Sequence, residues 1–177
     1  MVEPRFASAP LDPDTHDTSG FDSGEPDLDE WLRVHATPSA RARVAATFVW
    51  VRTGEAEVVA YYALSAHAVR RDEAPSRIGR GVPDPVPAAL IAKLALDQTL
   101  HGQRLGDLLL VDALDRIISA AEQGPAVRAI VVDAATERGR ALYRRFGFVP
   151  APGRADRMIV RAETIAQGLS AGRRRAQ

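Results

Sequence analysis

Leu94-Ala-Leu-Asp-Gln-Thr-Leu-His-Gly-Gln-Arg-Leu-Gly-Asp-Leu-Leu-Leu110 reads as the end of a strand, a tight polar turn and the start of an amphipathic helix. Such a turn aims the unpartnered N–H groups of the first helical turn at one spot, at the positive end of the helix dipole. That arrangement grips a pyrophosphate. The candidate cradle is His101, Gly102, Gln103, Arg104, Leu105, Gly106 and Asp107. Backbone N–H groups bind phosphate whatever the side chain, and Gln103 and Arg104 add donors where negative charge would sit.

Downstream, the pattern predicts a helix over about Leu105 to Gln123, with Leu110, Leu114, Ile117, Ile118 and Ala121 as its apolar stripe. Asp112, Asp115, Arg116 and Glu122 then face water, and Gly124-Pro125 stops the helix. Arg128 to Val132 reads as a buried strand, and Thr136 as the cap of a last helix ending at Phe146-Gly147. Phe148-Val149 and Met158 to Val160 are the final strands, followed by a terminal helix or a frayed tail.

Upstream, Ala88 to Leu96 is a near-continuous apolar run, as in a strand buried on both faces. Arg71 to Pro87 is rich in proline, glycine and charge and reads as a loop. Thr47 to Arg52 and Val58 to His67 read as the arms of a hairpin turning at Thr53-Gly54-Glu55. Asp27 to His35 is a short helix, with Asp27 as cap, Glu30 as its capping-box partner, and Leu28, Trp31, Leu32 and His35 on one face. Thr37 to Arg43 is a second short helix or a loop, and residues 1 to 25 are polar and turn-rich with Phe6 and Phe21 as anchors. Strands and helices alternate only in the second half. That predicts an α/β (α+β) mixed sheet with one βαβ unit inside it.

Composition narrows the classes. The chain has 177 residues, enough for one ordinary domain, which we place at 1–165 with a basic tail at 166–177. No apolar run approaches the roughly 18 residues of a membrane span, and Glu3, Pro4 and Arg5 precede no apolar signal segment. A cytoplasmic protein is the simplest expectation. Cysteine is absent, which excludes thiol catalysis and cysteine zinc sites. His16, His35, His67 and His101 lack metal-ligand spacing, so no metal is expected. The net charge is zero, yet acids crowd the first thirty positions and arginines cluster later; Lys93 is the only lysine. A guanidinium suits phosphate geometry.

The stretch 94–110 and the later Arg140-Ala-Leu-Tyr-Arg-Arg-Phe-Gly-Phe148 together resemble the acetyl-CoA-binding core of the GNAT N-acetyltransferases. That family's signature is Gln or Arg, two residues, Gly, one residue, then Gly or Ala. Here His101 and Arg104 depart from it, and Gly106 keeps it. The resemblance implies a GNAT acyltransferase fold, a mixed and mostly antiparallel sheet with flanking helices and a splayed fourth and fifth strand. It implies that the backbone of Leu94, Ala95 and Leu96 pairs with the pantetheine arm of acetyl-CoA. It makes Tyr143 the general acid. A thiol titrates near 8.5 and a tyrosine near 10, so a phenol can protonate the leaving thiolate.

Phe21-Asp-Ser-Gly24, Leu28-Asp-Glu-Trp-Leu32, Val59-Ala-Tyr-Tyr-Ala-Leu64 and Pro83-Asp-Pro-Val-Pro87 extend the likeness to GNAT toxins of bacterial type II toxin–antitoxin modules. Those toxins acetylate the α-amine of aminoacyl-tRNA and so block translation. The likeness also implies a homodimer and a small DNA-binding antitoxin as partner. An α-amine titrates near 8, against about 10.4 for lysine, so a strong base is unnecessary. Asp97, His67 and Glu137 are the available side-chain bases. Arg70, Arg71, Arg77, Arg80, Lys93 and Arg144 are candidate tRNA-binding residues. Two other readings remain open: acetylation of a small-molecule amine or a protein N-terminus, and a CoA-binding module without catalysis.

Overall fold

The computed structural model describes residues 5–134 and 136–175. The outer ends of the expected domain and tail, residue 1 and residues 176–177, lie outside the described residues. The strands are β1 (Phe6–Pro10), β2 (Ala46–Arg52), β3 (Val58–Val69), β4 (Val86–Leu96), β5 (Ala129–Asp133), β6 (Val149–Ala151) and β7 (Arg154–Arg161). They form a seven-stranded sheet in the order β1-β2-β3-β4-β5-β7-β6. The helices are α1 (Pro26–Glu30), α2 (Ala36–Arg41), α3 (Ser76–Gly79), α4 (Leu105–Gln123), α5 (Glu137–Arg145) and α6 (Ala162–Arg175). The expected mixed, mostly antiparallel sheet with flanking helices is what the chain forms. The chain divides into two compact units: Met1–Ser65 with Ala92–Leu110, and Ala66–Ile91 with Val111–Gln177.

In the first unit β1, β2 and β3 pair antiparallel, from Phe6↔Arg52 to Pro10↔Phe48 and from Ala46↔Leu64 to Val51↔Val58. Strand β1 escapes sequence reading because it is short, alternates weakly and ends in a proline, which suits an edge. Phe21, Leu32, Ala36, Val49, Val51, Val58, Tyr61 and Ala95 form the core.

The helical segment departs from expectation in two ways. Asp27 makes no side-chain cap; Glu25 takes the cap position, and Pro26 begins the helix. Proline suits that place because its missing N–H has no helical partner there. Between α1 and α2 the chain makes a π-helical turn at Trp31–His35. The wider turn moves the apolar face by one residue. Ala36 is therefore buried, while His35, expected on that face, is exposed.

In the second unit β4 pairs parallel with β5, from Ala88↔Ala129 to Ile91↔Val132. Strands β5, β7 and β6 are antiparallel neighbours. Val69, Ile78, Val86, Ala88, Ala129, Val131, Ala151 and Ile159 make its apolar cluster. Strand β4 is only half-buried over much of its length, not covered on both faces as its composition predicts. The loop expected over 71–87 contains a 3-10 turn at Arg71–Glu73 and α3.

Helix α4 has the predicted limits, and Leu110, Leu114, Ile117 and Ile118 are buried along it. Asp112, Asp115 and Arg116, expected in water, are half-covered instead. Helix α5 also follows its sequence. Thr136 Oγ1 accepts from Gly139 N at 3.1 Å, and Gly147 at φ +87° turns the chain out of the helix. Of the terminal helix and the frayed tail expected after about Ala162, the chain forms the helix, α6, which runs across position 165.

Candidate active site

In the first unit, Leu94, Ala95 and Leu96 are the last residues of β4. The pairing with β5 ends at Ile91, so β4 runs on for the stretch that the resemblance assigns to a pantetheine arm. A 3-10 turn, Gln98–Leu100, follows. The Asp97 carboxylate caps it, accepting from Thr99 N at 2.9 Å and Thr99 Oγ1 at 2.7 Å. Its other oxygen accepts from Asp22 N at 3.1 Å. Although partial burial pushes the Asp97 pKa up, these hydrogen bonds outweigh it together and hold the carboxyl below its ordinary value.

The exposed turn at 101–104 leads directly into Leu105, the first residue of α4. Gly102 has φ +78°, with open space where a Cβ would stand. Arg104 has φ +59°, a left-handed conformation that disfavours any residue with a Cβ. The chain thus keeps a glycine-like backbone at 104 without the glycine. Helix α4 begins here, where the first N–H groups of a helix lack helical partners and suit an anion, although Asp107 N donates to Arg104 O at 3.3 Å. Leu105 is buried, whereas Gly106 and Asp107 are half-buried.

The turn's side chains are mostly engaged within it. His101 Nε2 lies 3.1 Å from the Leu96 carbonyl oxygen. Gln103 Nε2 donates to Thr99 O at 3.2 Å, and Gln103 Oε1 accepts from Arg5 Nη1 at 3.1 Å. Gln103 was expected to offer its amide to a bound anion, but the structure uses that amide to close the loop. Arg104 stays exposed.

In the second unit Tyr143 lies on α5 with 6% of its surface exposed. Its ring meets Phe148 at 5.6 Å and an interplanar angle of 57°. Burial pushes the phenol well above the ordinary tyrosine value, so it carries its proton throughout the physiological range.

His67, on β3, lies with Nε2 3.2 Å from Arg157 Nη1. Arg157 also grips Asp133 through Nε at 2.7 Å and Nη2 at 2.9 Å. Burial first, then the Arg157 charge, lower the His67 pKa and keep the imidazole neutral. Its Nε2 lone pair faces a guanidinium donor and is not offered as a base. Glu137 accepts from Arg144 at 2.7 Å and Arg140 at 3.1 Å, which hold its carboxyl low. All three candidate bases are therefore tied into local networks.

The arginines proposed for tRNA differ in what holds them. Arg70 pairs with Asp72 at 3.0 Å and Arg144 with Glu137 at 2.7 Å. Arg71 braces its loop, donating from Nη2 to Val82 O at 2.7 Å and from its backbone to Asp84 Oδ1 at 3.0 Å. Arg77 and Arg80 are exposed on α3 and directly after it. Lys93 is half-buried, with Nζ 6.0 Å from the Trp31 ring centroid. Among the described residues, no His, Asp or Glu cluster could hold a metal ion. Sequence reasoning missed the support that Arg5, Asp22 and Gln98 lend the turn, since none has a spacing that advertises it.

No family model matches the chain. A tRNA-acetylating toxin from Mycobacterium tuberculosis (strain ATCC 25618 / H37Rv) is 40% identical over 139 residues, covering 78% of this chain and 82% of the relative. A probable toxin TacT from Sinorhizobium fredii (strain NBRC 101917 / NGR234) is 32% identical over 164 residues, 88% of this chain and 91% of the relative. Among solved structures, AtaT complexed with acetyl-methionyl-tRNAfMet superposes with a TM-score of 0.84 at 24% identity, covering 93% of this chain and 99% of that one. AtaTR bound with AcCoA gives 0.80 at 24% identity, with 93% and 98% covered. The solved structures establish the fold, and the two curated relatives establish the lineage: the chain belongs to the GNAT-fold toxins of bacterial toxin–antitoxin modules.

Proposed function

We propose that this chain is an acetyl-CoA-dependent N-acetyltransferase that modifies the α-amine of aminoacyl-tRNA and thereby stops translation. The observation that carries the reading is its 40% identity to a tRNA-acetylating toxin over most of both chains. The exposed turn at the head of α4 supports the donor, and the buried phenol of Tyr143 supports the chemistry.

The backbone of Leu94 to Leu96 and the first N–H groups of α4 would hold the donor along its pantetheine arm and pyrophosphate. When bound, acetyl-CoA supplies the acetyl thioester and, after the acceptor nitrogen has bonded to the acetyl carbon and the C–S bond has broken, a thiolate. The Tyr143 hydroxyl holds the proton that this sulfur takes. Burial keeps the phenol protonated and unable to act as a base; the proton it gives up as the C–S bond breaks is replaced from water. The acceptor nitrogen sheds its own proton to water, which an α-amine titrating near 8 permits. Asp97, His67 and Glu137 keep their structural partners throughout.

A cytoplasmic homodimer silenced by a small DNA-binding antitoxin completes the reading, in keeping with its family. The test is label transfer from radiolabelled acetyl-CoA to charged tRNA, with uncharged tRNA as control. Tyr143→Phe should lower kcat by about 10²–10⁴-fold, the usual contribution of a positioned acid, while CoA binding is unchanged. Unaltered turnover would remove Tyr143 from the mechanism. Absence of label on any tRNA would move the acceptor to a small-molecule amine or a protein N-terminus.

A further inference from the structure

Phe21-Asp-Ser-Gly24 is remote in sequence from the turn at 97–104, yet the two are knotted together. The Asp22 backbone N donates to Asp97 Oδ2 at 3.1 Å, and its carbonyl accepts from Gln98 N at 2.8 Å. Asp22 Oδ1 accepts from Gln98 Nε2 and from Gly24 N, each at 2.9 Å. Gly24 has φ +84°, and a Cβ there would stand 3.3 Å from Gln98 Cδ. A side chain there would strain the left-handed backbone and press on the Gln98 side chain.

The knot is anchored on both sides. Phe21 is buried with its ring edge-on to Tyr61 at 5.5 Å, and its carbonyl accepts from Arg33 Nη1 at 3.0 Å. Ser23 donates from N and Oγ to Asp29 Oδ1, at 2.9 and 2.6 Å, and Asp29 is itself only 6% exposed. On the other side Asp97 N donates to Val59 O at 2.9 Å. The start of the turn is thus fixed between a core aromatic and the neighbouring strand. That is the segment whose backbone direction decides where the later N–H groups point.

We propose that Asp22, with Gly24 and Gln98, is the positioning element of the phosphate cradle. The proposal rests on the donor assignment above. Asp22 is a positioning residue and not a ligand. Its carboxylate would repel a phosphate, and its Oδ1 is already occupied by donors of the knot. By holding 97–100 in one conformation it removes freedom that the turn would otherwise lose on binding, which is the source of affinity in a pre-organised site.

The test compares a ligand with phosphates and one without. CoA is titrated by calorimetry and S-acetylpantetheine by ligand-observed NMR, on the full chain and three variants. Asp22→Ala should weaken CoA about tenfold, as the loss of charge-assisted hydrogen bonds predicts, and leave S-acetylpantetheine within about twofold. Asp22→Asn keeps an acceptor oxygen and should restore most of the CoA affinity. Gln98→Ala removes one partner of the knot, so it should show a smaller loss in the same direction and serves if Asp22→Ala fails to fold. Equal weakening of both ligands, or unchanged CoA affinity in Asp22→Ala and Gln98→Ala, would overturn the proposal. A wild-type chain that binds neither ligand would overturn the donor assignment itself, and this inference with it.

Discussion

Arg104 and His67 show how much a single residue's surroundings decide. Arg104 occupies a left-handed conformation at φ +59° in an exposed turn. A side chain there costs about 1–2 kcal/mol, while glycine gains freedom in the unfolded chain and returns part of that. Arg104→Gly should therefore raise stability by up to about 1 kcal/mol, read as a higher urea midpoint at unchanged slope. A lower midpoint would mean that the guanidinium contributes interactions outweighing the backbone cost. His67 makes a pH prediction. Its pKa is lowered in the folded state by burial and by Arg157, with Arg154 acting the same way and Asp133 and Glu73 acting against. Between the folded value and the ordinary value near 6.5 the unfolded chain binds more protons, so stability rises with pH there. The contribution is fully present above about 6.5 and is lost as pH falls through that window. His67→Gln should flatten this part of a thermal-melt profile taken from pH 7.5 to 5.

At the scale of elements, helix ends were legible where a local signal sets them and obscure where packing does. Thr136 caps α5 as its position predicts, so Thr136→Ala should cost about 1 kcal/mol of unfolding free energy, measured by urea titration. The first helical segment behaves differently. Its capping-box spacing at Asp27 and Glu30 is present, but Pro26 starts the helix earlier and the buried Asp29 turns to Ser23. The π-turn at Trp31–His35 has no signature in the residues themselves. It arises because Ala36 fits the core where His35 would have to lose its hydration. Strand β1 was missed for a related reason: a short edge strand is held by its partner β2 more than by its own pattern.

For the molecule as a whole, net charge is a poor guide to a nucleic-acid partner. The formal charge is zero, so any attraction for tRNA must come from local fields. Arg70 and Arg144 already face carboxylates, and Arg77 and Arg80 are exposed on and beside α3. If tRNA is the acceptor, the Arg77→Ala/Arg80→Ala pair should reduce the salt slope of tRNA binding by about one unit for every phosphate it no longer neutralises. The Arg70→Ala/Arg144→Ala pair should reduce it less, since each of those cations releases a bound carboxylate when it engages phosphate. Filter binding between 50 and 200 mM salt would decide, and equal slopes would reject this ranking. The periodic and local parts are legible in residue order alone: helices α4 and α5 with their ends, the central strands, the βαβ order, the turn before α4 and the place of the tyrosine on α5. Hydrophobic period, caps and breakers act over a few residues, so they survive without knowledge of neighbours. Which polar groups serve which emerges when the chain folds. Folding tied Asp97, His67 and Glu137 to partners, turned Gln103 inward, gave Arg104 its backbone and brought Asp22 to Gln98, because those outcomes depend on residues that are distant along the chain and meet only once it has folded.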